Sequence, residues 1–223
     1  MTIDGHRPVA AAPAGVVASD LALATEVSAS ALYETAGGGA LPRAIKPVHR
    51  GFRVCGSALP VTCPPGDNLW LHRAIALAGP GEVIIAYLGG AYDFGYWGEV
   101  MSCAAAARNI GGVVLDGCAR DGAGLGARGL PVFSRGLCVV GTAKHPDGVG
   151  AVGHPVTIGG VQIYPGDLVV GDRDGVVVVP AGAAHDAVAR AIDRTEEEVV
   201  LIDRLRSGVE TTIDLYCLPR EEP

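Results

Sequence analysis

Two short segments of this chain carry side chains suited to chemistry on a small anion. The first is Gly95-Tyr96-Trp97-Gly98-Glu99 and the second is Cys118-Ala119-Arg120-Asp121-Gly122. Asp121 offers a hard oxygen ligand for a divalent cation, and Mg²⁺ commonly takes only one or two protein carboxylates while keeping several waters. Arg120, a planar fork of N–H donors, suits a carboxylate or a developing enolate oxygen. Gly98 stands where a helix opens, so the backbone N–H groups of Glu99, Val100 and Met101 can receive an anionic group. Glu99 could orient metal-bound water from outside the coordination sphere. Each feature also has an ordinary structural origin. An Arg-Asp pair after a strand is common, and a glutamate in a first helical turn is favourable on dipole grounds alone. No Gly-Lys-Ser/Thr follows the first segment, and it lacks the Gly-x-Gly-x-x-Gly spacing, so it is neither a Walker A loop nor a dinucleotide fingerprint.

The elements around these segments decide whether they meet. Residues 82–88 form a short apolar, β-branched run bounded by glycines, the pattern of a buried strand. A loop over 89–97 leads into an Ala-rich helix over 98–108, and residues 111–117 read as a second buried strand. Strand, helix, strand is a βαβ unit, whose two strands run parallel with a right-handed crossover. The loops after both strands then emerge at one edge of the sheet, where ligands bind in open α/β folds. That topology carries Glu99 and the Arg120-Asp121 pair toward one pocket.

Elsewhere, Ser28 or Ser30 caps a helix stopped by Gly37-Gly38-Gly39. Residues 52–63 are extended, with Pro60 implying an edge or a bend. Asn68 caps a helix that ends at Gly79-Pro80. Residues 131–133 and 137–140 look like partner strands of the βαβ unit. Gly159-Gly160 marks a hairpin over 155–163, further strands span 168–172 and 175–180, and a long helix spans 183–206. The economical architecture is α/β with one mixed sheet: a flexible arm over 1–19, then a single domain over 20–223.

Composition narrows the function classes. The chain has 223 residues, 49% hydrophobic and 18% charged, with 17 Lys plus Arg against 24 Asp plus Glu and a formal charge of −7. An acidic chain without a Lys/Arg cluster is not expected to grip nucleic acid. No apolar run approaches a membrane span, and residues 1–17 lack a secretory pattern, so a soluble, cytoplasmic protein is expected. The six cysteines (55, 63, 103, 118, 138 and 217) form no Cys-x-x-Cys pair and mostly lie in apolar runs. They are expected to be free, mostly buried thiols in a reducing compartment.

The chemical segments and their surroundings resemble a known family. Gly95-x3-Glu99, twenty residues, then Arg120-Asp121 is similar to the Gly-x3-Asp/Glu-x20-Arg-Asp signature of class II pyruvate aldolases, the 4-hydroxy-4-methyl-2-oxoglutarate aldolases of the RraA-like family. The likeness extends through Ser28-Ala-Ser-Ala-Leu-Tyr-Glu34, Cys63-Pro-Pro-Gly-Asp-Asn68, Val114-Leu-Asp-Gly-Cys-Ala-Arg-Asp121, Pro165-Gly-Asp-Leu-Val-Val-Gly-Asp172 and Asp174-Gly-Val-Val-Val-Val-Pro180, leaving only the N-terminal arm outside it.

The resemblance implies a single-domain swivelling β/β/α fold assembled as a homotrimer or homohexamer, with active sites between subunits. It implies Mg²⁺ or Mn²⁺ bound through Asp121 and waters, Arg120 on the pyruvyl group, and the backbone at Gly98, Glu99, Val100 and Met101 holding the substrate carboxylate. A glutamate from the neighbouring subunit's C-terminal helix is also implied, and Glu198 matches it best, with Glu196 and Glu197 close by. The activity implied is cleavage of a 4-hydroxy-2-keto acid such as 4-hydroxy-4-methyl-2-oxoglutarate to pyruvate, with oxaloacetate decarboxylation as a side activity through the same metal-stabilised enolate. The alternatives are a non-catalytic regulator that binds an endoribonuclease, a role also found in the family, and a lyase acting on a different 2-keto acid.

Overall fold

The computed structural model describes residues 15–220. The expected arm over 1–19 thus lies mostly outside the described residues. The part described runs directly into α1 (Ala18–Ala24), just after Val16 N–H donates to the Gly166 carbonyl at 3.3 Å. Helix α2 (Ala29–Ala36) begins as its sequence suggests, with Ser28 Oγ accepting from Ala31 N–H at 3.1 Å. It stops at Gly37, whose φ of 75° suits a residue without Cβ.

After the two-residue β1 (Lys46–Pro47), β2 (Val54–Thr62) is the hub of the main sheet. Pro60 therefore lies in a central strand, which corrects the edge or bend expected for it. The correction has a local cause. Pro60 faces Ile85 in the parallel ladder with β3 (Val83–Tyr87), but its carbonyl turns the other way and accepts from Gly153 N–H at 2.8 Å. Its missing N–H belongs to that same side, between the pairings of β2 with two different partners, so no ladder bond is lost. Helix α3 (Leu69–Leu77) follows Asn68, but the Asn68 side chain does not cap it. Asp67 does, its Oδ1 accepting from Leu69 N–H at 2.7 Å, which releases Asn68 for another task.

The βαβ unit is present as β3, α4 (Glu99–Ala106) and β5 (Gly112–Leu115), with β3 and β5 parallel. Between β3 and α4 lies β4 (Gly95–Trp97). It pairs in parallel with β6 (Cys118–Ala119), so both chemical segments begin on one small sheet. A helix with no counterpart in the sequence reading, α5 (Gly122–Arg128), follows at once. Strand β7 (Val132–Ser134) joins β5 in parallel as expected. Residues 137–140 do not join that sheet. Instead β8 (Gly136–Leu137) adds to β6, and Leu137, Val139 and Val140 are exposed.

The chain then adds β9 (Ala151–Val152), the hairpin β10 (Val156–Ile158) and β11 (Val161–Ile163), and the antiparallel pair β12 (Leu168–Asp172) and β13 (Gly175–Val179). The long α6 (Ala184–Arg206) follows, and the last turn is α7 (Thr212–Leu215), closed by a capping box from Thr211 to Asp214. The main sheet runs β1-β7-β5-β3-β2-β12-β13, with β9 on β2. Its ends nearly meet: Lys46 Nζ, on β1, donates to the Asp174 carbonyl beside β13. The result is an almost closed, mixed barrel in a single α/β domain.

Period-two alternation divides the strands between packed layers. Val83 and Ile85 of β3, Val114 of β5 and Val176 and Val178 of β13 fill the barrel interior. Ile84, Ala86, Val113 and Leu115 face outward and are covered by α3, α4 and α5. Val177 and Val179 pack with Leu32 of α2 and Ala187, Val188 and Ala191 of α6. Strands buried on both faces read as continuous apolar runs, which is why they were legible in the sequence. The six cysteines are free, but only Cys63 is buried, while Cys103 and Cys217 are exposed. The expectation of mostly buried thiols is corrected. No helix among the described residues is long and apolar enough to cross a membrane.

Candidate functional site

Strand β6 is the spine of the site. Arg120, its next residue, donates its N–H to the Trp97 carbonyl at 2.8 Å, while Cys138 N–H donates to the Ala119 carbonyl at 2.8 Å. The β4 segment and the 136–140 strap therefore flank Arg120 on its two sides. Two glycines in the first segment exist because of this closeness. A Cβ on Gly95 would lie 2.4 Å from the Cys138 carbonyl and 2.9 Å from Arg120 Cβ. On Gly98 it would lie 2.5 Å from Asp121 Oδ2 and 3.1 Å from Arg120 Nε.

Asp121 is left-handed at φ 60°, a conformation aspartate tolerates better than most residues and one that clusters at functional turns. Although it stands at the start of α5, its side chain makes no cap there. It reaches instead to the amino end of α4, accepting from Glu99 N–H at 3.2 Å, with Arg120 Nε 3.8 Å from the same oxygen. The first helical bond of α4, Ser102 N–H to the Gly98 carbonyl at 3.1 Å, leaves Val100 and Met101 N–H ahead of it. Arg120 and Asp121 are nearly half exposed, at 46% and 48% of their side-chain surfaces. They line an open cleft of about 490 Å³ with Leu137, Cys138 and Val139.

The remaining expected residues are placed differently. Val100 is 81% exposed, whereas Met101 is buried and turns its sulfur to Asn68 Nδ2 at 3.5 Å; neither is among the residues lining the cleft. Glu99 keeps its backbone at Asp121, but its carboxylate faces α5, where Arg128 donates to Oε1 through Nε at 2.9 Å and Nη2 at 2.6 Å. Glu198 sits on the outer half of α6 and pairs with Arg194 Nε at 3.2 Å. It is not among the residues lining the cleft of its own chain.

Three participants carry no local signal in the sequence. Arg128 ends α5, a glycine-rich helix that the sequence reading does not include and that packs against Glu99: a Cβ on Gly124 would lie 2.4 Å from Glu99 Oε2, so the carboxylate would have to shift. Residues 137–140, which look like a partner strand in the sequence, instead form an exposed strap beside the site. Asn68, a cap by its position in the sequence, donates its Nδ2 at 2.8 Å to the Tyr96 carbonyl, just ahead of Gly98. A neighbouring pair, Arg135 Nε and Asp116 Oδ1, is 2.6 Å apart and mostly buried, with the Arg135 guanidinium 4.0 Å over the Tyr92 ring.

Among the described residues, no three His, Cys, Asp or Glu side chains converge as a metal-binding group. The donor set at the cleft is a single exposed carboxylate. That set fits a hard, largely hydrated dication such as Mg²⁺ and does not fit a fully protein-ligated ion.

An almost closed mixed barrel carrying an Arg-Asp pair at the mouth of a βαβ crossover defines an α/β class with an open cleft beside that pair. The chain belongs to the RraA-like family, described as Aldolase/RraA, which it matches over residues 24–178. It is 36% identical over 151 residues to a Halalkalibacterium halodurans protein named "Putative 4-hydroxy-4-methyl-2-oxoglutarate aldolase", covering 68% of this chain and 71% of that one. Its fold is similar to that of an uncharacterized protein from Pseudomonas syringae pv. tomato, with a TM-score of 0.78 and 30% identity over 89% of this chain and 97% of the other. It is also similar to Streptomyces coelicolor RraAS2, described as an unusual member of the RNase ES inhibitor RraA protein family, with a TM-score of 0.75 and 25% identity over 86% and 99% of the two chains.

Proposed function

We propose that this chain is a divalent-metal-dependent carbon–carbon lyase that releases pyruvate from a 2-keto acid. One observation carries the reading: Arg120 and Asp121 line one open cleft, and Asp121 accepts from Glu99 N–H at the amino end of α4, with Gly95 and Gly98 leaving room for the pair. Arg120 presents its N–H fork where negative charge grows on the keto oxygen as the C3–C4 bond breaks. The Val100 and Met101 N–H groups receive the substrate carboxylate. Asp121 would hold a dication, which when bound would supply Lewis-acid polarisation of a keto group. Because Arg128 holds the Glu99 carboxylate, Glu99 orients rather than carries a proton. The base is Glu198 from a neighbouring copy in a homotrimer or homohexamer, and the outer half of α6 leaves Val199, Val200 and Ile202 uncovered for such a contact.

Pyruvate release from 4-hydroxy-4-methyl-2-oxoglutarate and decarboxylation of oxaloacetate, each with Mg²⁺ and with EDTA, test this reading. Activity that requires the metal and is abolished in Asp121→Ala, with an unchanged circular dichroism spectrum, is expected. Full activity in that variant would remove Asp121 as the ligand.

A second reading, a non-catalytic regulator that binds an endoribonuclease, is favoured by the likeness to the RraAS2 structure and by the lack of a three-ligand metal group among the described residues. Tight, saturable inhibition of such a nuclease, unaffected by Asp121→Ala and unaccompanied by any keto-acid turnover, would decide for it.

A further inference from the structure

We propose that the cleft selects 2-keto acids with an uncharged aliphatic tail over 2-keto diacids, an inference that rests on the lyase reading and names its substrate class. The surface leading away from Arg120 and Asp121 is built by the 137–139 strap. Leu137 is seated against Gly122, directly after Asp121: a Cβ on that glycine would lie 2.6 Å from Leu137 Cδ1. The leucine is thus held beside the reacting end while 59% exposed. Val139 lines the same cleft and is 92% exposed. Between them, Cys138 Sγ donates to the Asp93 carbonyl at 3.1 Å, so its thiol already has a partner.

The neighbouring guanidinium groups are already committed. Arg128 holds Glu99, and Arg135 is held by Asp116 and stacked on Tyr92. Arg120 is the cation among the lining residues, and it serves the keto-acid end. A second carboxylate on the substrate would meet Leu137 and Val139 and lose water without gaining a partner. An alkyl tail would cover them, at about fourfold in affinity per buried methylene. For a 4-hydroxy-2-keto acid the chemistry balances simply. The C4 hydroxyl gives its proton to the base, the C3–C4 bond breaks to release an aliphatic aldehyde, and C3 takes the electron pair and a proton to become the methyl group of pyruvate.

The test is calorimetric binding, with Mg²⁺ present, of 2-oxopentanoate against 2-oxoglutarate. They have the same chain length and no 4-hydroxyl to react, and they differ in one terminal carboxylate. It is paired with pyruvate release from 4-hydroxy-2-oxohexanoate and from 4-hydroxy-4-methyl-2-oxoglutarate. The monoacid is expected to bind about tenfold more tightly, and Leu137→Arg to erase or invert that ratio with an unchanged sedimentation coefficient. Equal or tighter binding of 2-oxoglutarate, with pyruvate still released, overturns the tail preference and leaves the lyase reading standing. A Leu137→Arg protein that dissociates without altering the ratio assigns Leu137 to a subunit contact and overturns it too. Failure to bind either acid or to cleave either substrate removes the lyase reading and this inference with it.

Discussion

Arg128 places two guanidinium nitrogens on one oxygen of Glu99, Nε at 2.9 Å and Nη2 at 2.6 Å. The pair ties the start of α4 to the end of α5, across the turn that holds Asp121. Both side chains are well exposed, so the bond is a positioning device more than a source of stability. Arg128→Ala is expected to raise KM for a 2-keto acid about tenfold through looser placement of Glu99 and Asp121, with little change in Tm. Gly124→Ala, whose Cβ would lie 2.4 Å from Glu99 Oε2, is expected to reproduce that phenotype. Steady-state kinetics on the double variant should then show a loss close to that of either single change, because both remove one contact.

Gly98→Ala probes the close approach itself. Its methyl would fall 2.5 Å from Asp121 Oδ2, so the carboxylate must move. The φ of −138° at Gly98 is ordinary extended backbone, so the fold has no reason to object. A roughly hundredfold fall in kcat/KM is expected from the displacement, together with weaker Mg²⁺ binding by calorimetry and a nearly unchanged Tm. Normal kinetics would mean that Asp121 is not where the reaction takes place.

Arg120→Lys keeps the charge and discards the planar fork. A loss of at least about tenfold in kcat/KM, or ~1.4 kcal/mol of transition-state stabilisation, is expected. Kinetics indistinguishable from the parent would remove Arg120 from the reaction.

Asn68 is buried, and its Nδ2 donates at 2.8 Å to the Tyr96 carbonyl. Asn68→Leu removes that donor and leaves a carbonyl of a fully buried residue short of a partner, at a cost of about 1–3 kcal/mol. A urea midpoint lowered with an unchanged m-value would confirm it, whereas an unshifted midpoint would show that the carbonyl finds another donor.

His185 Nδ1 lies 3.0 Å from Asp20 Oδ1, linking α6 to α1. The hydrogen bond to Asp20, and then its charge, raise the His185 pKa above the ordinary 6.5. The charged pair therefore contributes in full below about 6.5 and is lost as the pH climbs through the raised value. The Tm advantage of the parent over His185→Gln should be present at about pH 5.5 and gone by about pH 9. An advantage that grows with pH would contradict the pairing.

Much of the barrel was readable because its strands are apolar on both faces. Residues 82–88 and 111–117 announce β3 and β5, and the helix between them makes the parallel crossover almost obligatory. What misled were residues whose local preference is overridden by a neighbour distant in sequence. Pro60 enters a central strand because its missing N–H falls between two partners. The Gly-rich segment over 122–128 becomes helix because Leu125 is buried in the core, with its glycines letting Glu99 and His49 pack close. Apolar residues 137–140 stay outside the core because β6 recruits β8 to the small sheet.

The sequence by itself determined the crossover, the residue types at the mouth of the cleft and the bare positions at 95 and 98. Hydrophobic periodicity and glycine placement are local properties. Only the tertiary structure decided that Asp121 would turn to the amino end of α4, that Glu99 would turn away to Arg128, and that Leu137 and Val139 would line the cleft. Those outcomes depend on which side chains reach one another across the small sheet, and that reach is set by packing between segments that no local pattern connects.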